Sequence, residues 1–300
     1  MKTSRLLLLV LGVLGVAAPA SAKLNVVTTL PDFAAIAQEL GGERVNAEAL
    51  LRGTQDPHFA DAKPALIVKV NRADMLVNIG LGLEAGWLPV LMTQARNANI
   101  QVGAPGYLDG SQFVTAKEVP VKADRAMGDV HSGGNPHYYT APDELFRVAQ
   151  AISAKLVELD PEGRTYYQER WQAFATKYEQ KVREWQAKLA PLRGTKVIVY
   201  HQSWTYFLDW AGLVEVGALE PKPGVSPSPS HVSRLFNQVK DQKVRFVLQE
   251  VYHPTSLSET FANKAGATLV VLPSMVGAAD GIVTIWDKFD RIVNQLTTTK

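Results

Sequence analysis

The middle of this 300-residue chain constrains its fold more than any other part. From Pro161 to about Leu189 the residues Tyr166, Arg170, Phe174, Tyr178, Val182, Trp185 and Leu189 recur at spacings of three and four, the period of one helical face. At 1.5 Å per residue such a helix is roughly 40 Å long. Asp160 supplies an N-cap, Pro161 a proline at the first helical position, and Pro191 with Gly194 ends the run. The aromatic stripe on it reads as core.

On either side of this helix, short apolar segments alternate with helical ones. Before it, Leu24 to Leu30 reads as a buried strand and Pro31 to Leu40 as a helix stopped by Gly41-Gly42. Asn46 to Leu51 then reads as a strand, Gly53 to Pro57 as a turn, Lys63 to Asn71 as a helix and Met75 to Ile79 as a strand. After it, strands at Lys196 to Tyr200, Val214 to Ala218, Phe246 to Gln249 and Thr268 to Leu272 alternate with helices at Trp204 to Trp210 and near Val232 to Lys240. That alternation predicts parallel sheets covered by helices on both faces. The expected fold is therefore α/β, with lobes over 23–160 and 192–300 joined by one long rigid helix over 161–191. The stretch Pro221 to Pro229, with four prolines, reads as a rigid loop.

The first 22 residues stand apart. Lys2 and Arg5 precede an apolar run from Leu6 to Ala18, and Ala20-Ser21-Ala22 has the small-x-small form of a signal-peptidase site. The run is about half the ~20 residues a spanning helix needs, and nothing later in the chain matches it, so the mature protein is not expected to be membrane-embedded. There is no cysteine, which excludes a disulfide framework, thiolate metal ligands and a lipid-modified N-terminal cysteine. A free periplasmic protein is expected. Loss of Lys2 and Arg5 leaves 29 basic residues against 29 acidic ones, with no basic stripe to suit nucleic acid.

Six histidines remain to carry chemistry. His58 stands in Gln55-Asp-Pro-His58, His137 in Gly134-Asn-Pro-His137-Tyr-Tyr, and His201 directly after a predicted strand in Val199-Tyr-His201-Gln-Ser-Trp. Open α/β sheets bind ligands at the carboxyl ends of their strands, and a proline before a residue restricts the local backbone. Any one of these is as readily a hydrogen-bonded surface histidine. Three together suit zinc, which takes three or four N, O or S donors at ~2.0–2.3 Å. Their wide spacing suits a site that two lobes enclose. His131, in Gly128-Asp-Val-His131-Ser-Gly-Gly134, reads either as a solvated loop histidine or as an auxiliary metal collector; His231 and His253 read as structural. Tyr138, Tyr139, Trp204 and Tyr206 flank two of the ligands, as an apolar wall or as ordinary core.

The mature chain resembles the periplasmic zinc/manganese-binding proteins of ABC importers, whose two lobes share a long backbone helix. The resemblance rests on Gly53-Thr-Gln-Asp-Pro-His58-Phe with Pro64, on Arg72-Ala-Asp74 through Gly80-Leu-Gly-Leu-Glu84, on Gly134-Asn-Pro-His137, on Tyr200-His201 to Phe207, and on Gly224 to Ser230. It implies that His58, His137 and His201 are metal ligands. It implies too that the cargo is Zn2+ with Mn2+ as the alternative, and that an inner-membrane ABC permease is the partner, with a periplasmic metallochaperone as a further one and the protein itself a monomer. Family members often place an aspartate after the last strand, where this chain has Ser274, and a hydroxyl is a poor zinc ligand. Glu250, Asp280, or water on a three-histidine core are the alternatives for the fourth position. Related proteins also carry a His- and acid-rich loop just before the second ligand; here it is short, with His131 and Asp129.

Two other readings compete. A zinc hydrolase also uses three histidines and an open water position, yet the chain has no His-Glu-x-x-His and no Gly-x-Ser-x-Gly. An adhesin-like surface protein on the same scaffold is the other. For a capture protein, binding should fail as pH drops below the histidine range near ~6.5, because an imidazolium cannot ligate.

Overall fold

The computed structural model describes residues 23–61, 63–120 and 131–299; the expected signal segment and Asp129 lie outside them. Among the described residues there are two four-stranded sheets. The first holds β1 (Leu24–Thr28), β2 (Val45–Ala49), β3 (Met75–Asn78) and β4 (Tyr107–Asp109) in the order β2-β1-β3-β4, with every pairing parallel. The helices α1 (Pro31–Gly41), α2 (Pro64–Asn71) and α3 (Leu88–Ala95) make its crossovers. α4 (Pro142–Leu159) and α5 (Arg164–Leu189) follow. The second sheet holds β5 (Lys196–Val199), β6 (Val214–Ala218), β7 (Phe246–Glu250) and β8 (Thr268–Leu272) in the order β6-β5-β7-β8, again all parallel. Its helices are α6 (Thr205–Ala211), α7 (Pro229–Val239), α8 (Ser256–Ala265) and the C-terminal α9 (Ile285–Thr298).

The α/β architecture with two parallel sheets and a long joining helix is as anticipated, and the two sheets share one strand order. Each therefore has its topological switch point between its first and third strands, where an open sheet leaves a crevice at the carboxyl ends. The long helix starts three residues later than expected. Asp160 turns Pro161–Gly163 into a 3-10 turn by accepting from the Gly163 amide. The same carboxylate holds Arg44 through contacts of 2.7 and 2.9 Å and accepts from the Tyr167 hydroxyl at 2.7 Å. α3, α4, α8, α9 and β4 go beyond the elements anticipated above. α4 buries Leu145, Val148, Ile152 and Leu156 at helical spacing.

α5 packs against α1, α4 and α9. Its expected stripe is core in part, with Phe174, Trp185 and Leu189 buried and Tyr167, outside that stripe, buried as well; Phe174 and Trp185 meet Trp286, and Trp185 also meets Phe289, at ring distances of 4.9 to 6.4 Å. One apolar core runs through both sheets and these helices. A smaller one, including Ile198, Leu235, Val247 and Phe261, lies between the second sheet and α7 and α8. The halves also meet backbone to backbone. A Cβ on Gly53 would stand 2.1 Å from the Val276 carbonyl oxygen, so the turn that leads to His58 can touch the loop after β8 only because residue 53 has no side chain. No helix of the described residues is long and apolar enough to cross a membrane.

Candidate metal centre

Three loops bring the three histidines together. His58 follows β2, His137 opens a 3-10 turn over His137–Thr140, and His201 lies two residues past β5. One ring nitrogen from each lies within 4.8 Å of the other two. The ring centroids stand 5.2 Å (His58 to His137), 5.3 Å (His58 to His201) and 5.0 Å (His137 to His201) apart. In each ring Nε2 is buried and has no hydrogen-bond partner among the described residues.

In each ring, too, Nδ1 faces an oxygen acceptor. His58 Nδ1 is 2.8 Å from Asp56 Oδ1, His137 Nδ1 is 2.8 Å from Asn135 Oδ1, and His201 Nδ1 is 2.7 Å from Glu220 Oε2. These contacts select the tautomer with the proton on Nδ1 and the lone pair on Nε2. That is the arrangement in which an outer oxygen orients a metal-binding imidazole.

The shared Xaa-Pro-His context has a physical basis. Asp56 and Asn135 each stand two residues before their histidine, with proline between. In both turns one side-chain oxygen also accepts from the histidine backbone amide, at 3.0 Å for His58 and 2.9 Å for His137. A single Asx oxygen thus fixes backbone and ring together. Asn135 is itself held, because its amide donates to Glu118 and to the Gln202 carbonyl, both at 2.7 Å. His201 lacks this local device and takes its acceptor from Glu220, beyond β6; the Gly224 amide donates to the same oxygen at 3.1 Å.

The electrostatics differ among the rings. Burial holds the His137 pKa well below the ordinary histidine value, and the neighbouring imidazoles push it the same way. Burial also opposes charge on His201, but its hydrogen bond to Glu220 and the nearby carboxylates of Glu250 and Asp56 outweigh this and raise its pKa. Burial raises the Asp56 carboxyl, yet its hydrogen bond and charge interaction with His58 bring it below its usual value.

The candidates for a fourth donor are placed very differently. Glu250 ends β7 and is fully buried, with neither oxygen in a hydrogen bond of ordinary geometry among the described residues. Burial pushes its pKa up to about 7, partly offset by His201 and by the nearby Ser203 hydroxyl. Its Oε2 is 3.6 Å from His253 Nε2. Ser274 is buried. Asp280 is exposed, and no contact among the described residues joins it to the histidines.

His131 stacks on His58 at 5.4 Å and lies 6.5 Å from His137. It lines two of the cavities that reach the cluster: one of about 930 Å³ shared with His58, and one of about 410 Å³ shared with His137 and His201. His253 stacks on Tyr200 at 4.3 Å, with its ring 6.4 Å from His201. His231 lies 3.0 Å from the Ala218 carbonyl, away from the cluster. Tyr138, Tyr139, Trp204 and Tyr206 are buried; the hydroxyl of Tyr138 donates to Ile79 and that of Tyr206 to Asn135, both to main-chain oxygens at 2.7 Å.

Sequence reasoning missed the three acceptors. Asp56 and Asn135 carried a readable signal, an Asx two residues before each Pro-His. Glu220 carried none, being 19 residues from His201.

Comparison with known proteins finds metal-binding relatives. The zinc-binding lipoprotein AdcA of Streptococcus pneumoniae R6 is 22% identical over 286 residues, which is 93% of this chain and 56% of AdcA. The manganese-binding lipoprotein MntA of Halalkalibacterium halodurans is 23% identical over 249 residues, 82% of this chain and 77% of MntA. A crystal structure of a ZnuA deletion mutant with zinc bound superposes with a TM-score of 0.76 at 27% identity, covering 92% of this chain and 97% of that one. Residues 26–298 match the model of ZnuA, the periplasmic component A of a zinc-uptake complex, and the chain belongs to that family.

Proposed function

We propose that this chain captures a single divalent cation, zinc by preference, with Nε2 of His58, His137 and His201, and delivers it to an ABC import permease of the inner membrane. One observation carries the reading. Three buried ring nitrogens converge with no protein partner among the described residues, while the opposite nitrogen of each ring is held by an oxygen. Leaving three such acceptors dry is costly unless something occupies the space between them. Three nitrogen donors favour zinc over manganese, which prefers a more oxygen-rich shell.

Glu250 is our choice for the fourth donor over Asp280 or water. Its support is full burial with unengaged oxygens beside His201, against the exposure of Asp280. Family membership argues for transport and against hydrolysis. A signal-like N-terminus and the match to a periplasmic family support a periplasmic location.

Chelator-competition titration tests the assignment. The parent chain should bind one zinc per molecule and hold it against manganese, and His137→Ala should lose stoichiometric binding. Full binding by His137→Ala would refute the site.

A further inference from the structure

A buried lysine lies close to the histidines and takes no part in the binding chemistry described so far. Lys288, on α9, is 0% exposed, and so is its partner Asp32, in the first turn of α1. Lys288 Nζ lies 2.5 Å from Asp32 Oδ1, 2.8 Å from the Tyr139 carbonyl oxygen and 3.5 Å from the Ser274 carbonyl oxygen. An ammonium has three N–H donors, so these three acceptors saturate it. The second oxygen of Asp32 is also used, accepting from the Val276 amide at 3.2 Å.

Four segments meet at this one charge. Asp32 belongs to the first half and Lys288 to the C-terminal helix. Ser274 and Val276 belong to the loop after β8, the loop that also lies against Gly53 on the approach to His58. Tyr139 belongs to the turn that His137 opens. That turn is pinned on its other sides by Tyr138, whose hydroxyl donates to Ile79, and by Thr140, whose hydroxyl lies 2.8 Å from the His137 carbonyl oxygen and 3.1 Å from that of Ser203, two residues past His201. Without Lys288, nothing else among the described hydrogen bonds joins the Tyr139 main chain to the C-terminal segment.

We infer that Lys288 is a positioning residue of the metal centre: its ammonium clasps Asp32, Tyr139 and Ser274 and thereby fixes where His137 stands relative to His58 and His201. A buried charge pair is a weak source of stability, since desolvation offsets most of its attraction, but in some proteins such groups specify one arrangement of the segments they join. Three donors on three separate loops need such a device, because a misplacement on the order of 0.5 Å degrades a metal site. This inference rests on the assignment of the three histidines as ligands.

The test uses the neutral pair Asp32→Asn/Lys288→Met, which leaves neither partner as a stranded charge, with Asp32→Glu alone, which keeps the charge pair but displaces it, as a milder variant. Val247→Ala, in the separate core under α7 and α8, serves as a stability control. Zinc affinity by chelator competition, zinc release rate, the visible spectrum of the cobalt-loaded protein and metal-free thermal unfolding are measured on each. The expected result is a folded double variant with zinc binding weakened about tenfold or more, within the range for residues that orient ligands. The loss should come from faster release, with an altered cobalt spectrum, and Asp32→Glu should fall between. Val247→Ala should lower thermal stability and change neither affinity nor spectrum.

Parent-like affinity and cobalt spectrum in the folded double variant would overturn the inference, as would an equal loss of affinity in Val247→Ala. If the double variant does not fold, Asp32→Glu decides by the same two readouts. Stoichiometric zinc binding by His137→Ala would instead sink the ligand assignment, whatever the clasp variants do.

Discussion

Each sheet has a buried glutamate at or beyond the end of its third strand, and the two behave as opposites. Glu84 follows β3 and Glu250 ends β7; both are almost fully buried, and burial pushes each up to about 7. Glu84 is saturated. It accepts from the Thr29 hydroxyl at 2.7 Å and from the amides of Ile79 and Gly80 at 2.7 and 3.1 Å, which closes the loop at the first switch point. Glu250 stands at the second switch point with no such set among the described residues, beside His201. One strand order thus carries a structural carboxylate in one half and an unengaged one in the other. A buried acid marks a site only when its acceptors lack partners.

Exchanging each acid for its amide separates the two most strongly. Glu250→Gln should weaken zinc binding by at least about 10–100-fold, the range for groups around a metal site, and leave metal-free stability unchanged or higher, since a buried unengaged carboxylate is lost. Glu84→Gln should do the reverse. An amide NH2 facing the Ile79 or Gly80 amide leaves buried donors unsatisfied, at a cost of about 1–3 kcal/mol, while zinc affinity per folded molecule stays near parental. Calorimetric titration beside thermal unfolding reads both. Equal zinc affinity in the two variants would erase the distinction and return the fourth position to water.

The contrast also shows what could be read from the sequence. The parallel α/β halves were legible because apolar strands and amphipathic helices alternate without interruption, and the histidine trio because few other residues in a cysteine-free chain suit zinc. The role of Glu250 was half legible, since a strand end places it in the crevice but nothing in the sequence says whether its oxygens are engaged. Glu220 and Asp32 were not legible, because their partners lie 19 and 256 residues away. Lys288 left a trace. It lies between Ile285 and Ile292 on the buried face of α9, where a lone lysine breaks an apolar stripe and signals a buried partner.

Intermediate effects should come from the acceptors behind the rings. Asn135→Ala removes the oxygen that fixes both the His137 ring and its backbone, as Asp56→Ala does for His58. Each should cost about tenfold in zinc affinity, the lower end for such partners. Asn135→Ala should also lower metal-free stability, because it severs the bonds to Glu118 and Gln202. The Asp56 side chain has no such second attachment among the described residues, so Asp56→Ala should leave stability near parental. A larger stability loss in Asp56→Ala than in Asn135→Ala would reverse this ranking.

The smallest effect, and the one that ties Glu250 to its neighbours, is on pH dependence. With His201 and Glu250 as the proposed ligands, metal binding needs His201 neutral and Glu250 ionised. The His201 pKa is raised, so in the metal-free protein a proton competes for that ring at a higher pH than for a free imidazole. Glu250, raised to about 7, likewise holds a proton there. Both effects have one sign: affinity is full above these pKa values and falls as pH drops through them. Glu220→Gln removes the carboxylate that charges His201, so the ring titrates lower and the fall in affinity moves to lower pH, by an amount on the order of one unit or less. Above that range the same variant should bind slightly more weakly, because an amide oxygen makes the imidazole less basic. Glu84→Gln should leave the pH profile where it is, since Glu84 contacts none of the rings. A profile that moves with Glu84 and not with Glu220 would mean that the proton competing with zinc sits in the first sheet, and that the two buried acids have been assigned the wrong way round.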